Sequence, residues 1–325
     1  MRRLAVFGGG AWGTALAIVA RRAGSAPILW ARDPALVAAI NTRHENPVFL
    51  PGIALDPAIA ATTDPATALS GAEAALMVVP AQFLRGVLTR IAPKIPLLLC
   101  AKGIENGSLL TMSEMAAEVA PAAPAAVLSG PSFAAEVARD LPTAVVIASR
   151  DEALARNFTA ALGTARFRPY LSHDPIGAEI GGAAKNVIAI ACGIIDGRGL
   201  GDNARAALIT RGLAEIARLG VAKGADPDTF RGLSGMGDVV LTCAATQSRN
   251  HALGAALGRG TSLAEALSGS RAVVEGVATA ASLAELAGRL GVEMPITQAV
   301  DGVLHKGLAI DAMIEALLAR PYRAE

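Results

Sequence analysis

Leu4-Ala5-Val6-Phe7-Gly8-Gly9-Gly10-Ala11-Trp12-Gly13-Thr14-Ala15-Leu16-Ala17 is the stretch whose reading decides the fold. Four apolar residues run directly into Gly8-x-Gly10-x-x-Gly13, and a helical pattern follows over Thr14 to Arg22. In that setting each glycine has a physical task. Gly8 permits a tight turn, Gly10 lets backbone approach a pyrophosphate, and Gly13 lets helix and strand pack closely. The N–H groups heading the helix lack intrahelical acceptors and so suit phosphate oxygens. The spacing alone also arises as an ordinary glycine-rich turn; its position after a first strand is what points to a dinucleotide.

Working outward, further short apolar runs occur at Pro27 to Trp30, Ala75 to Val79, Pro96 to Cys100, Ala126 to Leu128 and Ala144 to Ala148, with helical stretches between them. Strands alternating with helices mean βαβ units and a parallel sheet. The predicted first domain, residues 1–177, is therefore a Rossmann-type doubly wound parallel sheet that binds a dinucleotide. From about Ile176 the strand signal stops and helical patterns take over, broken by glycine-rich turns such as Ser234-Gly235-Met236-Gly237-Asp238. Residues 178–325 are predicted to form a mainly α-helical domain for substrate binding and catalysis. Asp226-Pro227-Asp228 reads as a helix start, and Ser262 with Glu265 as a capping box.

Bulk properties exclude several classes. At 325 residues the chain exceeds what one core usually supports. Lysine and arginine total 29 against 28 acidic residues, a net charge of +1, which offers no electrostatic footprint for nucleic acid or an anionic membrane. The composition is 53% hydrophobic but only 3% aromatic, which predicts helices packed closely on small side chains. The most apolar segment, Ile180 to Ile195, is interrupted by Lys185 and Asn186, so no membrane span is expected. No signal peptide is read at Met1-Arg2-Arg3, and a cytoplasmic location is expected. Cys100, Cys192 and Cys243 are far apart in sequence and read as reduced core residues. His44, His173, His251 and His305 show no ligand spacing, so no metal site is expected, and each reads as a surface or loop histidine.

The end of the second strand, Trp30-Ala31-Arg32-Asp33, bears on the choice of dinucleotide. An acidic residue there grips a ribose 2′-hydroxyl and an arginine accepts a 2′-phosphate. Arg32 comes first, and Asp33 before Pro34 can instead cap the next helix, so NADP is favoured with NAD also accepted; an exposed arginine without a ligand is the plainer alternative. In Ile176 to Ile195 the charged side chains are Glu179 and Lys185. A lysine in such an apolar helix is costly unless paired and is a candidate acid or base, although its stem could also snorkel to water. Asp238 and Ser248-Arg249-Asn250 complete a set suited to a polyol phosphate, with Arg249 able to fork onto phosphate oxygens. Alone, Ser-Arg-Asn is also an ordinary way to begin a helix.

These residues sit in motifs with a wider likeness: Gly8 to Ala17, Phe49-Leu50-Pro51-Gly52, Lys102-Gly103-Ile104-Glu105, Leu128 to Ala134, Gly181 to Ile190, Gly201 to Gly212, Gly235 to Cys243, Ser248 to Asn250, Val273 to Gly276 and Glu293 to Thr297. Along nearly its whole length the chain resembles the bacterial-type NAD(P)-dependent glycerol-3-phosphate dehydrogenases. The resemblance implies NAD(P)H-dependent reduction of dihydroxyacetone phosphate to sn-glycerol 3-phosphate for glycerophospholipid synthesis, by a homodimer. It implies that Lys185 exchanges the proton and that Lys102, Gly130, Ser132, Lys185, Asp238, Ser248, Arg249 and Asn250 surround the substrate. Around the cofactor it places Trp12, Arg32, Lys102, Ala134, Arg249, Val273 and Glu275, beside Gly8, Gly10 and Gly13 of the glycine fingerprint and the backbone of Ala11 between them. Three departures stand out: Ala11 where the family has serine, Ser270-Arg271-Ala272 for Ile-Gly-Gln, and Pro169-Tyr170 for Val-Tyr.

Two rivals stay open on the residues alone. A two-domain dehydrogenase for a hydroxy acid or sugar acid needs a carboxylate grip in place of a phosphate grip. A noncatalytic dinucleotide sensor leaves Lys185, Asp238 and Arg249 without a task.

Overall fold

The glycine turn lies between strand β1 (Arg3–Phe7) and helix α1 (Ala11–Arg22), whose N-cap is Gly10. In the computed structural model, which describes residues 1–268 and 273–321, the chain forms two compact units. One comprises Met1–Lys102 and Leu110–Glu179, the other Gly103–Leu109 and the chain from Ile180 onward. The first unit continues with β2 (Ala26–Trp30), α2 (Pro34–Arg43), β3 (Glu45–Asn46), β4 (Leu50–Ala54), β5 (Ala60–Thr62), α3 (Pro65–Leu69), β6 (Ala74–Met77), α4 (Ala81–Ile91) and β7 (Leu97–Leu99). Then come α5 (Met112–Val119), β8 (Ala125–Ser129), α6 (Ala134–Ala138), β9 (Thr143–Ala148), α7 (Glu152–Leu162) and β10 (Phe167–Ser172). The unit boundary falls within α8 (Pro175–Gly197). The second unit carries α9 (Asp202–Ala222), α10 (Asp238–Ala244), α11 (Arg249–Gly258), α12 (Leu263–Ser268), α13 (Glu275–Arg289), α14 (Pro295–His305) and α15 (Ile310–Leu318).

Eight strands form one sheet in the order β10-β9-β8-β7-β6-β1-β2-β5. The chain moves one way from β1 through β2 and β5, and the other way from β6 to β10. Strand order therefore reverses at β1 and β6, the place where open α/β sheets bind ligands beyond their carboxyl ends. β1, β6 and β7 are buried almost throughout, which is why they read as continuous apolar runs. The sheet departs from the expected all-parallel arrangement at one pair: β8 and β9 are antiparallel, with Leu128 opposite Ile147. The short α6 turns the chain back instead of providing a long crossover. β10, unforeseen from sequence, is an edge strand with an irregular burial pattern, and Pro169 is tolerated there because an edge has N–H groups to spare.

Helix starts follow local chemistry. Asp33, Asp64, Asp174 and Asp226 each precede proline, and each carboxylate accepts a backbone N–H at the head of the following helix or 3-10 turn. Thr111 and Glu114 form a reciprocal capping box on α5. At Ser262 the expected box is half made: its hydroxyl accepts the Glu265 N–H and donates to the Glu265 carboxylate, which therefore does not reach back to the Ser262 N–H.

In the second unit α8 and α11 meet backbone to backbone. A Cβ on Gly193 would collide with the His251 carbonyl oxygen, and one on Gly254 with that of Ile190; Gly197 and Gly258 are similarly crowded. Spacing glycines four apart on both helices makes this close crossing, and it fixes the start of α11 against the helix that carries Lys185. By length and composition α8 could cross a membrane, but its most apolar window is wholly buried among protein. The segment Gly103–Leu109 is tied to the same unit, since the Ser282 hydroxyl donates to the Ile104 carbonyl at 3.2 Å. His251 is a correction to the surface reading: it is buried on α11, and its Nε2 lies 2.8 Å from Asp196 Oδ2. Cys100, Cys192 and Cys243 are buried and free. The thiols of Cys192 and Cys243 are hydrogen-bonding neighbours, and that contact together with burial raises the Cys243 pKa.

Glu179 has a measurable consequence in the first unit. It accepts the Ser113 N–H at 2.7 Å and the Ser113 hydroxyl at 2.5 Å, yet burial outweighs both and raises its pKa to about 7 from an ordinary 4.5. The folded state then holds a proton that the unfolded state has released. That stabilisation is complete below the unfolded pKa and is lost as pH rises through the folded one. Between about pH 5 and pH 8 wild type is expected to lose up to about 3 kcal/mol relative to Glu179→Gln. Denaturant melts of both proteins at the two pH values check this; a gap that is constant, or that moves the other way, means the Ser113 bonds outweigh burial.

Candidate active site

The turn after β1 has the shape of a phosphate cradle. Gly8 has φ +132° and approaches Val78 so closely that a Cβ would lie 2.9 Å from its carbonyl carbon. A Cβ on Gly13 would collide with the Gly8 carbonyl oxygen, whereas one on Gly10 would meet nothing within 4 Å. The tight positions are thus those that shape the turn, and the open one is where a ligand would approach. No side chain caps α1, which leaves its first-turn N–H groups available, those of Ala11, Trp12 and Gly13 among them. With alanine at position 11 that work falls to the backbone. These residues fit a dinucleotide pyrophosphate.

At the end of β2 the Arg32 guanidinium lies 6.0 Å from the centre of the Phe83 ring, and Phe83 is 52% exposed. This cation–aromatic pair offers a flat surface beside the sheet's carboxyl edge. Phe83 was missed in the sequence because it stands inside an amphipathic helix pattern. Asp33 is spent on capping α2, at 2.9 Å from the Ala35 N–H, as its place before proline allowed. Further along the sheet, Lys102 Nζ donates to the Gly130 carbonyl at 2.9 Å and the Ser132 hydroxyl donates to the same oxygen at 3.1 Å. Three expected site residues are therefore joined on one carbonyl, with Ala134 beginning α6 just beyond.

In the second unit Lys185 is 8% exposed and Asp238 fully buried. The ammonium donates to Asp238 Oδ1 and, at 3.0 Å, to Thr242 Oγ1. Thr242 in turn donates to the Asp238 backbone carbonyl at 2.6 Å. Asp238 is the first residue of α10. The residues before it, Leu233–Gly237, were read as a glycine-rich turn but form a π-helical turn running straight into α10. Glycine makes this possible: a Cβ on Gly181 would strike the Ser234 carbonyl oxygen and one on Gly235 that of Phe230. Wide π turns recur where a side chain is aimed at a site. Thr242 was not singled out from sequence, although its position four residues after Asp238 puts both on one helix face.

The Ser248-Arg249-Asn250 tripeptide both starts a helix and, through Asn250, is tied to the residue that follows Lys185. Ser248 is the N-cap of α11, accepting the His251 N–H at 3.3 Å. Asn250 donates to Asn186 Oδ1 at 2.9 Å and accepts the Gly276 N–H at 3.0 Å, linking the residue after Lys185 to the head of α13. Asn186 is a second contributor that sequence reading passed over. Arg249 is exposed, and its Nη1 donates to the Val273 carbonyl at 2.7 Å, which brings together two expected cofactor residues two positions before Glu275. Ser270-Arg271-Ala272, the departure just before Val273, lies outside the described residues.

A doubly wound sheet with an open glycine cradle, together with a helical unit carrying a buried lysine on a carboxylate, defines a nicotinamide-dinucleotide oxidoreductase. The family is set by comparison with known proteins. Residues 3–155 match the model for the NAD-dependent glycerol-3-phosphate dehydrogenase N-terminus and residues 174–315 that for its C-terminus. Glycerol-3-phosphate dehydrogenase (NAD(P)+) of Rhodospirillum rubrum is 58% identical over 99% of this chain and 93% of its own length. That of Parvibaculum lavamentivorans is 55% identical over 100% and 98%. A crystal structure of glycerol-3-phosphate dehydrogenase from Coxiella burnetii, 39% identical, superposes with a TM-score of 0.94 over 98% of this chain and 99% of that one. The chain belongs to the NAD(P)-dependent glycerol-3-phosphate dehydrogenase family.

Proposed function

We propose that the chain reduces dihydroxyacetone phosphate to sn-glycerol 3-phosphate with Lys185 as the proton donor. The observation that carries this reading is the buried Lys185–Asp238 pair with Thr242 on the same ammonium. When bound, the nicotinamide supplies the hydride to C2 of the substrate. Lys185, positioned by Asp238, polarises the C2 oxygen and gives it a proton; in the oxidative direction neutral Lys185 takes the hydroxyl proton. A placed proton donor contributes about 10²- to 10⁴-fold. Asp238 and Thr242 fix where the ammonium points, and Asn186 with Asn250 braces the neighbouring turn against α13. Arg249 is the phosphate grip in this unit, and Ser248 and Asn250 shape the start of α11 around it. On the first unit Lys102, Gly130 and Ser132 are assigned to substrate, and Gly8, Gly10, Ala11, Trp12, Gly13, Arg32, Lys102 and Ala134 to the cofactor. From the second unit Arg249, Val273 and Glu275 are assigned to the cofactor.

The unit boundaries support a dinucleotide-binding domain at residues 1–177 and a substrate domain at 178–325. Cytoplasmic location, a homodimer and a role in glycerophospholipid synthesis complete the reading. NADH or NADPH oxidation followed with dihydroxyacetone phosphate and with a panel of keto acids tests the activity. Turnover confined to the phosphorylated ketone is expected, and turnover on a keto acid alone overturns the assignment.

NADPH is the favoured cofactor, supported by Arg32 over Phe83 and by the engagement of Asp33 in its helix cap. Arg32→Asp replaces a 2′-phosphate partner by a repelling carboxylate and is expected to lower kcat/KM for NADPH more than for NADH. Equal losses with both cofactors would leave Arg32 as an adenine-stacking or surface residue.

A further inference from the structure

The Phe49-Leu50-Pro51-Gly52 motif is not accounted for by the chemistry described so far. It lies in the small β3–β4 hairpin, and the residue that connects this hairpin to the glycine turn is Asn46, the last residue of β3, which is fully buried. Its amide nitrogen donates to the Gly9 carbonyl at 3.0 Å and to the Thr14 hydroxyl at 2.7 Å. Its amide oxygen accepts the Phe49 N–H at 3.0 Å, which fixes which way the amide faces. Thr14, also fully buried, lies in the opening turns of α1. One side chain therefore holds the glycine turn both before and after Gly10.

The Gly9 carbonyl and the Gly10 N–H belong to one planar trans peptide and point in opposite directions. Holding the carbonyl inward on Asn46 therefore aims the Gly10 N–H away from the hairpin. A glycine triplet is the segment least able to hold such an orientation by itself, since glycine has the most backbone freedom to lose. We infer that Asn46 is a positioning residue for cofactor binding: it orients the Gly9–Gly10 peptide and the first turn of α1 so that their N–H groups are set for the dinucleotide's phosphates before it arrives. Preorganisation of this kind raises affinity by lowering the ordering cost of binding. The β3–β4 hairpin, with Phe49 packed against the first core, is the anchor. The inference rests on the reading that Gly8 to Gly13 hold the pyrophosphate.

The test uses the full-length protein and four variants, reading NADPH Kd, NADPH KM, dihydroxyacetone phosphate KM at saturating cofactor, and the melting temperature. Asn46→Asp keeps shape but removes both donated bonds. It is expected to raise NADPH Kd and KM roughly 10- to 100-fold while the KM for dihydroxyacetone phosphate stays within about 3-fold. A residue that only stabilised the fold would lower the melting temperature and leave that split absent. Should Asn46→Asp not fold, Thr14→Val removes one acceptor while Thr14→Ser keeps it; the valine variant is expected to weaken NADPH roughly 3- to 10-fold and the serine variant to leave it unchanged. Gly10→Ala separates the inference from the reading beneath it, because a methyl group there meets open space in the protein and obstructs only a ligand. Weakened NADPH binding in Gly10→Ala with wild-type affinity in Asn46→Asp, or in Thr14→Val if the former does not fold, overturns the positioning role alone. Unchanged binding in Gly10→Ala overturns the pyrophosphate reading and the positioning role with it.

Discussion

Lys185→Met is expected to lower kcat for dihydroxyacetone phosphate by about 10²- to 10⁴-fold, the range of a removed general acid, while NADPH Kd stays near the wild-type value. The separation follows from where the side chain ends. Its ammonium lies on Asp238 and Thr242 in the second unit, whereas the glycine cradle belongs to the first. The substitution has a second effect that must be kept apart from the first. Asp238 is fully buried, and losing Lys185 removes the ammonium paired with its carboxylate, which costs about 3 to 5 kcal/mol when one partner of such a pair is removed. The double variant Lys185→Met, Asp238→Asn is expected to regain much of that stability and none of the turnover. More than about a tenth of wild-type kcat in the folded single variant rules out the acid–base role.

Arg249→Ala is expected to lower kcat/KM for dihydroxyacetone phosphate by roughly 10- to 100-fold, mostly through KM, because a charge-assisted hydrogen bond contributes about 1.5 to 3 kcal/mol. Activity on unphosphorylated dihydroxyacetone has no phosphate grip to lose and is expected to change little. Arg249 also holds the Val273 carbonyl, so NADPH affinity is measured in the same protein. Arg249→Lys keeps the charge and loses the planar fork; it is expected to recover only part of the loss. If both substrates lose activity in proportion, Arg249 serves to place Val273 and the phosphate is held elsewhere.

What could be read from sequence was whatever depends on neighbouring residues. β1, β6 and β7 are buried on both faces and so appear as unbroken apolar runs, and Gly8, Gly10 and Gly13 keep their meaning because the turn is local. β10 escaped because an edge strand has no fixed burial pattern and Phe167 to Ser172 includes a proline. β3 (Glu45–Asn46) is two polar residues, β4 carries Pro51 and Gly52, and β5 (Ala60–Thr62) is only three residues long, so pattern reading assigns all three to loops. Leu233–Gly237 carries the composition of a turn, and only close approach to Gly181 and Phe230 makes it helical.

The site divided along the same line. Lys185 stood out as a charge inside an apolar helix, but its partner Asp238 lies 53 residues away, and no local rule joins them. Asn46 and His251 are buried polar side chains satisfied by distant groups, Gly9 and Asp196 respectively, so each looks like an ordinary surface residue until the chain is folded.

The central claim is that hydride arrives at C2 of dihydroxyacetone phosphate while Lys185 supplies the proton to its oxygen. It is tested most directly by turning over dihydroxyacetone phosphate with NADPH deuterated on the transferred position of the nicotinamide ring, and reading the product by nuclear magnetic resonance and mass spectrometry. The account predicts sn-glycerol 3-phosphate with a single deuterium, on C2, formed by wild type and suppressed in Lys185→Met. Product lacking deuterium at C2, or labelled product formed at an unreduced rate by the methionine variant, would contradict it.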